Sequence, residues 1–386
     1  MKYLVKTCII APLLFTISAL SIQSQELYFP EKFSWTERTP ETFSINPSLL
    51  NQAIDYAKQN EYSGSRDLRQ AILKGFENEP YHTILGPTKK RGAPAGMILQ
   101  DGFIVARWGD IKRVDMAFSV TKSFLSTIAG LAYKERLLQS FDDLVSTYVW
   151  DETFEGVHNK KITWRHLLTQ SSDWSGQLWG GFDWADRPPK NGEIEDWKSR
   201  TLQTPGSVFE YNDVRVNVLA YSLLQVWRRP LPQILKEKIM DPIDASTTWR
   251  WYGYDNSFVT VDGVQMQSVS GGGHSGGGMF INTLDLARFG LLFLANGKWN
   301  DKQLLPEDWI DQLSTPSLAN ANYGYMWWLN KKGARQWKNL PDHLFYAAGF
   351  GGNFIVVDKQ KKLVIITRWL EPKKIETFLE KVYNAL

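Results

Sequence analysis

The sequence predicts an α+β fold, an antiparallel sheet flanked by helices with a mostly helical lobe inserted into it. Three observations predict this. β-rich hairpin runs stand towards both ends of the chain, "GMILQDGFIVARWG" around Asp101-Gly102 and "NFIVVDKQKKLVIITRW". Between them, from Leu137 to about Trp251, the signals are short helices and loops with few alternating runs. The last residues, "KIETFLEKVYNAL", read as a closing helix. A sheet joining the two hairpins would carry the helical lobe as an insertion, with a cleft between the two parts.

Taken in order, the chain opens with Lys2 and Lys6 and an apolar run from Cys8 to Leu20. This is the pattern of a secretory signal over residues 1–24, too short to span a bilayer comfortably. The mature protein is therefore expected in the periplasm or outside the cell, with no stable membrane span after cleavage. Cys8 is the single cysteine and lies inside that segment, which leaves no thiol nucleophile, disulfide or thiolate metal site. Residues 25–44 read as an extended N-terminal segment and residues 45–386 as one domain. Its sheet lobe covers about 45–136 and 255–386, and its helical lobe about 137–254.

From Pro47 to Gln59 the positions Leu49, Leu50, Ala53, Ile54 and Ala57 share one helical face. A basic loop, Gly86 to Gly96, precedes the first hairpin. In "AFSVTKSFLSTIAG", Phe124, Leu125 and Ile128, continued by Leu131 and Ala132, recur at helical spacing, which puts Ser119 near a helix N-terminus. "ITWRHLLTQSS" and "VNVLAYSLLQVW" are the clearest helices of the inserted lobe. Trp174, Trp179, Trp184 and Trp197 cluster in its polar stretch. "SGGGHSGGGMFIN" is a glycine-rich entry to a strand, and "TLDLARFGLLFLANG" is a capped helix ending at Gly297. A net charge of +3 over 386 residues gives no basic surface for nucleic acid or for an anionic membrane.

Ser119 and Lys122 sit three residues apart, so on a helix their side chains share a face. A serine hydroxyl becomes a nucleophile when a base takes its proton, and the helix N-terminus favours the developing oxyanion. A lysine acts as that base only if burial or a cation lowers its pKa. A rival exists in Gly273-His274-Ser275-Gly276-Gly277, which matches the G-x-S-x-G elbow and is followed by Asp308 and His343. The buried strand before it and the helix after it are missing, which makes the match accidental. The five histidines show no zinc spacing, Gly349-Phe350-Gly351-Gly352 opens no phosphate-binding helix, and no carboxylate pair stands out. No metal or cofactor is expected.

"FSVTKSF", "FEYNDVRVNVLAYSLLQ" and "FYAAGFGGNFIVV" occur in an order that resembles the serine β-lactamase and penicillin-binding-protein superfamily. "RVDMAFSVTKSF", "WRHLLTQSSDWSG", "GGGMFINTLDLARFGLLFLANG" and "YGYMWW" resemble its class C-type branch of esterases, D-amino-acid peptidases and nylon-oligomer amidases. The likeness runs from about residue 45 to the C-terminus. It implies a β-lactamase/transpeptidase-like fold, with Ser119 as the acylated nucleophile and Lys122 helping to remove its proton. Tyr211 would be the second proton-transfer partner, and the backbone N–H groups of Ser119 and Phe350 the oxyanion hole. Asp213 replaces the asparagine of the tyrosine element. Ala347-Ala348-Gly349 stands where Lys-Thr-Gly or His-x-Gly is usual, so the carboxylate-binding group of a β-lactam site is missing. Lys331-Lys332-Gly333 lies in a polar loop and does not replace it. Asp213, Ala348, Gly349, Trp174 and Trp179 are the candidate substrate-binding residues, and Arg368 remains a candidate holder of an anion.

These features imply an exported serine hydrolase acting on a small ester, amide or peptide through an acyl-enzyme. A penicillin-recognising D-Ala peptidase or β-lactamase is the alternative on the same scaffold. A non-catalytic binding protein is the alternative of another kind.

Overall fold

The computed structural model describes residues 26–334 and 336–386. The expected signal, residues 1–24, lies outside the described residues. The helices are α1 (Pro47–Gln59), α2 (Leu68–Gly75), α3 (Thr121–Lys134), α4 (Gly156–Asn159), α5 (Trp164–Leu168), α6 (Ile194–Lys198), α7 (Asp213–Trp227), α8 (Leu231–Leu235), α9 (Thr283–Leu294), α10 (Glu307–Leu313) and α11 (Ile375–Tyr383). The strands are β1 (Ala95–Gln100), β2 (Phe103–Trp108), β3 (Asp115–Met116), β4 (Gln177–Leu178), β5 (Gly181–Phe182), β6 (Arg250–Val261), β7 (Val264–Val269), β8 (Gly278–Ile281), β9 (Lys298–Trp299), β10 (Lys302–Gln303), β11 (Trp328–Leu329), β12 (Phe345–Gly349), β13 (Asn353–Asp358) and β14 (Leu363–Arg368).

The main sheet has the order β11-β12-β13-β14-β1-β2 and is antiparallel throughout. Strand β14 pairs with β1 in the register Ile98↔Ile365, which joins the two hairpins. The first hairpin turns through Asp101 and Gly102, with φ of 50° and 89°. Positive φ at both central residues gives a turn that matches strand twist, and Asp-Gly supplies it at low cost. Side chains alternate across the sheet. Ile98, Val105, Val356 and Ile365 face α1 and α11, while Met97, Leu99, Ile355, Val357, Val364 and Ile366 face the side of α9 and α3.

A second sheet, β3-β8-β6-β7, stands beside α3 and α7. Strand β6 begins at Arg250, inside the stretch expected to be helical, because its alternating buried and exposed residues suit a half-covered strand. The segment 26–39 runs past the edge of β2, where Tyr28 and Arg38 donate their amides to Asp101 and Ile104. That contact covers an edge otherwise open to pairing. No helix among the described residues is long and apolar enough to cross a membrane.

Candidate active site

The chain reaches Ser119 through a strained turn. Phe118 has a φ of 50°, a left-handed conformation costly for a bulky side chain, so its surroundings must hold it there. Its ring packs against Phe350 and Trp369, with centroids 5.0 and 6.3 Å away, and the Ala117 amide donates to Met279 O at 2.8 Å. Ser119 stays partly exposed, while α3 is buried from Thr121 to Ala132. Ser123 and Ser126 donate their hydroxyls to the carbonyls of Met326 and Tyr325, which fixes the helix against the loop before β11.

One turn on from Ser119, Lys122 Nζ lies 2.9 Å from Ser119 Oγ and 2.5 Å from Asp213 Oδ1, and its side chain is 1% exposed. Asp213 is the first residue of α7, whose Asn212 cap accepts the Arg215 amide at 3.1 Å. The helix N-terminus favours a carboxylate there. Arg187 donates to Asp213 Oδ2 at 2.7 Å and also pairs with Asp186. Asp186 accepts the amides of Asp213 and Val214. His274 meets Arg187 through Nδ1 at 3.3 Å and Glu79 through Nε2 at 2.6 Å. Because arginine only donates, Nδ1 must accept, and Nε2–H then donates to Glu79.

Burial pushes the Lys122 ammonium down, but the Asp213 carboxylate and Tyr211 outweigh it and hold the lysine above its usual value. Burial likewise raises Asp213, but Lys122 and Arg187 outweigh it and hold the carboxyl well below its usual range. The sequence argument for a lysine base required the opposite shift. Asp213, where the family pattern has an amide, is the physical reason.

Ser119, Tyr211, Asp213, Ala348, Gly349 and Phe350 all line one cleft of about 450 Å³. Lys122 Nζ lies 4.6 Å and Arg187 Cζ 5.2 Å from the centroid of the Tyr211 ring, which stacks on Trp328. Strand β12 closes on the nucleophile turn at Gly349, where a Cβ would stand 2.3 Å from Ala117 O and 3.3 Å from Ser119 N. Ala347 packs into the core, so Ala348 is the side chain that β12 turns to the cleft at this point.

Other expectations separate from the cleft. Trp174 is 3% exposed and donates its indole N–H to Thr153 O at 2.7 Å, so it packs inside the helical lobe and does not reach substrate. Trp179 lines a neighbouring hollow with Tyr81 and Phe182. Arg368 is 2% exposed and donates to Asn353 Oδ1, Ile281 O and Met116 O, so it ties β14 to the second sheet and holds no anion in the cleft. Asp308 accepts from Tyr133 and His343 pairs with Asp358, so neither serves Ser275. Lys331-Lys332-Gly333 forms a turn between β11 and β12.

Two groups, Glu79-His82-His274 and Asp186-Asp213-His274, bring possible ligand atoms within 4.8 Å of one another. Arg187 already pairs with both aspartates of the second group. In the first, His82 Nε2 meets His274 O at 3.1 Å and His274 meets Glu79. These groups are spent on one another and on Arg187. Sequence reasoning missed Arg187, Glu79 and His274 as site residues, and no spacing rule connects positions so far apart in the chain.

The beta-lactamase family model matches residues 113–368. The chain belongs to the beta-lactamase family. Its members are hydrolases, and the antiparallel sheet with flanking helices is the family's fold. An Escherichia coli K12 protein named, provisionally, as a D-alanyl-D-alanine carboxypeptidase is 23% identical over 86% of this chain and 84% of its own length. A family VIII carboxylesterase of known structure shares 14% identity over 89% of this chain and 99% of its own, with a TM-score of 0.57. A penicillin-binding protein homologue from Caulobacter crescentus gives the same coverage, identity and TM-score. At those identities the two structures speak for the beta-lactamase fold alone.

Proposed function

We propose that this member of the beta-lactamase family is an exported serine hydrolase that cleaves a neutral ester or amide through an acyl-Ser119 intermediate. The observation that carries the reading is the 2.9 Å contact of Lys122 Nζ with Ser119 Oγ, in a cleft where β12 offers Ala348, Gly349 and Phe350. A methyl group and backbone amides bind a carbonyl but give no charge to a substrate carboxylate. Aromatic faces from Tyr62, Phe76, Trp328 and Phe354 suit an apolar acyl or alcohol group. Export rests on Lys2, Lys6 and the apolar run from Cys8 to Leu20.

In this reading Ser119 Oγ attacks the carbonyl carbon. The amides of Ser119 and Phe350 receive the oxyanion, preorganised by the Gly349 contact with the nucleophile turn. Lys122, in contact with the hydroxyl, and Tyr211, in the same cleft, are the groups that would manage its proton. Water then releases the acid.

The test is labelling of the mature protein with a fluorophosphonate and with a fluorescent penicillin, wild type beside Ser119→Ala. Labelling by the phosphonate alone, lost in Ser119→Ala, is expected. Labelling by both reagents favours the penicillin-recognising reading, for which the Escherichia coli relative's name speaks. Labelling that survives Ser119→Ala removes Ser119 as the nucleophile, and no labelling favours a binding protein.

A further inference from the structure

We propose that the hollow beside the active cleft is a second binding site, which takes a small organic ammonium carrying one aromatic ring or a short alkyl chain. The inference goes beyond the acyl-Ser119 reading and does not depend on it.

The hollow has a volume of about 160 Å³, and Tyr81, Trp179, Phe182 and Tyr254 line it. A cavity of about 150 Å³ holds a benzene-sized molecule. Asp213 and His274 line both the hollow and the cleft, so the two share a wall, while Ser119 lines the cleft alone. One of the aromatic residues is held there at a cost in the backbone. The hairpin of β4 and β5 turns through Trp179 and Gly180, with φ of 50° and 85°. Such a turn ordinarily takes asparagine, aspartate or glycine at its first position. A tryptophan there is strained, and strain of this kind gathers at ligand clamps. Asn256 of β6 donates to Trp179 O at 2.8 Å and ties the turn to the opposite wall.

The hollow is negatively charged. Glu79, Asp186 and Asp213 line it, and no lysine or arginine does. Asp213 is matched by Lys122 and Arg187, and Asp186 by Arg187. Among the described residues Glu79 has no lysine or arginine partner. It accepts the Arg187 amide at 3.2 Å and the Nε2–H of His274 at 2.6 Å. With Nδ1 of His274 accepting from Arg187, that imidazole is neutral. Three carboxylates therefore stand against two cations, and the unmatched one has a side chain only 8% exposed. A carboxylate offers about four acceptor positions, so Glu79 can take another donor.

Ser275 supplies a second acceptor. It is 8% exposed and lines the hollow, and among the described residues its hydroxyl makes no hydrogen bond. A buried hydroxyl without a partner is unfavourable until something in the hollow meets it. Glu79 bonds to His274, the neighbour of Ser275 in the chain. The G-x-S-x-G match thus gains a place in the fold other than that of a nucleophile. A primary ammonium brings three donors and a charge. Glu79 and Ser275 accept the donors, aromatic faces attract the charge, and the ring or chain packs on Trp179 and Phe182. An anion would face three carboxylates, and a neutral arene would leave Glu79 unmatched.

The experiment is calorimetric titration of the mature protein with benzylammonium, benzyl alcohol and benzoate, in wild type, Glu79→Gln, Trp179→Ala and Trp328→Ala. Benzylammonium should bind wild type with a Kd of about 1 mM or below. Benzyl alcohol should bind about tenfold more weakly, and benzoate should not bind. Glu79→Gln should bring the ammonium and the alcohol within about threefold of each other, and Trp179→Ala should weaken the ammonium about tenfold. Trp328 lines the cleft and not the hollow, so Trp328→Ala should keep the wild-type affinity.

No binding of benzylammonium, equal affinity for the alcohol, or full affinity in Glu79→Gln would each overturn the proposal. So would binding lost in Trp328→Ala and kept in Trp179→Ala, which puts the amine in the cleft. Should a variant fail to fold, the wild-type preference for the ammonium over the alcohol decides. Absence of fluorophosphonate labelling would remove the acyl-Ser119 reading and leave these titrations untouched.

Discussion

Lys122 Nζ and Asp213 Oδ1 stand 2.5 Å apart, and Gly272 passes over them so closely that only a hydrogen fits in place of a side chain. The pair joins α3, which follows the Ser119 turn, to the first residue of α7, two positions after Tyr211. The Ser-x-x-Lys and tyrosine elements of the sequence are thus locked together by one buried ion pair.

Gly272→Ala is expected to break that lock. Its methyl group would have to displace the carboxylate and the ammonium together. Hydrolysis of a neutral aromatic ester should fall about a hundredfold or more, with a loss of stability of about 1–3 kcal/mol in denaturant unfolding. Activity and midpoint unchanged from wild type would show that the glycine contact is unimportant.

Asp213→Asn should be costly at neutral pH, because it leaves Lys122 and Arg187 buried with one carboxylate fewer. Breaking one side of such a pair costs about 3–5 kcal/mol. The sign of the pH dependence follows from the folded state. Asp213 is held below its unfolded value of about 3.9, so its contribution is complete above that pH and is lost as the pH falls through the folded value. Lys122 is held above its unfolded value of about 10.4, so its contribution is complete below that pH and is lost as the pH rises through the folded value. Urea unfolding should therefore show the largest wild-type advantage between about pH 5 and about pH 9, and a smaller one in acid.

Gly349→Ala should act on rate more than on binding. The added Cβ would lie 2.3 Å from Ala117 O and would push β12 off the turn that holds the Ser119 amide. Displacing an oxyanion donor costs about 10²–10³ in kcat. The expected signature is a lower kcat with KM nearly unchanged. A rise in KM alone would assign β12 to substrate binding.

Arg368→Met should destabilise without changing specificity. Three buried acceptors, Asn353 Oδ1, Ile281 O and Met116 O, would lose their donor, at about 1–3 kcal/mol for each group left unsatisfied. Thermal unfolding should fall by several degrees, while KM for neutral and anionic esters stays in the same ratio. A selective loss of the anionic ester would return Arg368 to the cleft.

The hairpins at Asp101-Gly102 and before Leu363, the helix after Ser119 and the capped helix ending near Gly297 were all legible in the sequence. Each is written in local periodicity and turn chemistry. The Ser-x-x-Lys and tyrosine elements were legible because their order along the chain is characteristic. What escaped was non-local. Arg187 and His274 reach Asp213, and Glu79 reaches His274, from three separate segments, and nothing in their neighbours announces a charge network. Trp174 read as a cleft aromatic because it stands in a polar stretch, yet its indole packs into the lobe and spends its N–H on Thr153. Arg368 was invisible as a tie between sheets for the same reason: its three acceptors come from β3, β8 and the start of β13.

The most direct test of the account is mass spectrometry of the chain quenched during turnover of a neutral aromatic ester. The acyl mass should appear on the peptide that contains Ser119 and be absent from Ser119→Ala. An acyl group on the peptide carrying Ser275, or undiminished turnover by Ser119→Ala, would contradict it.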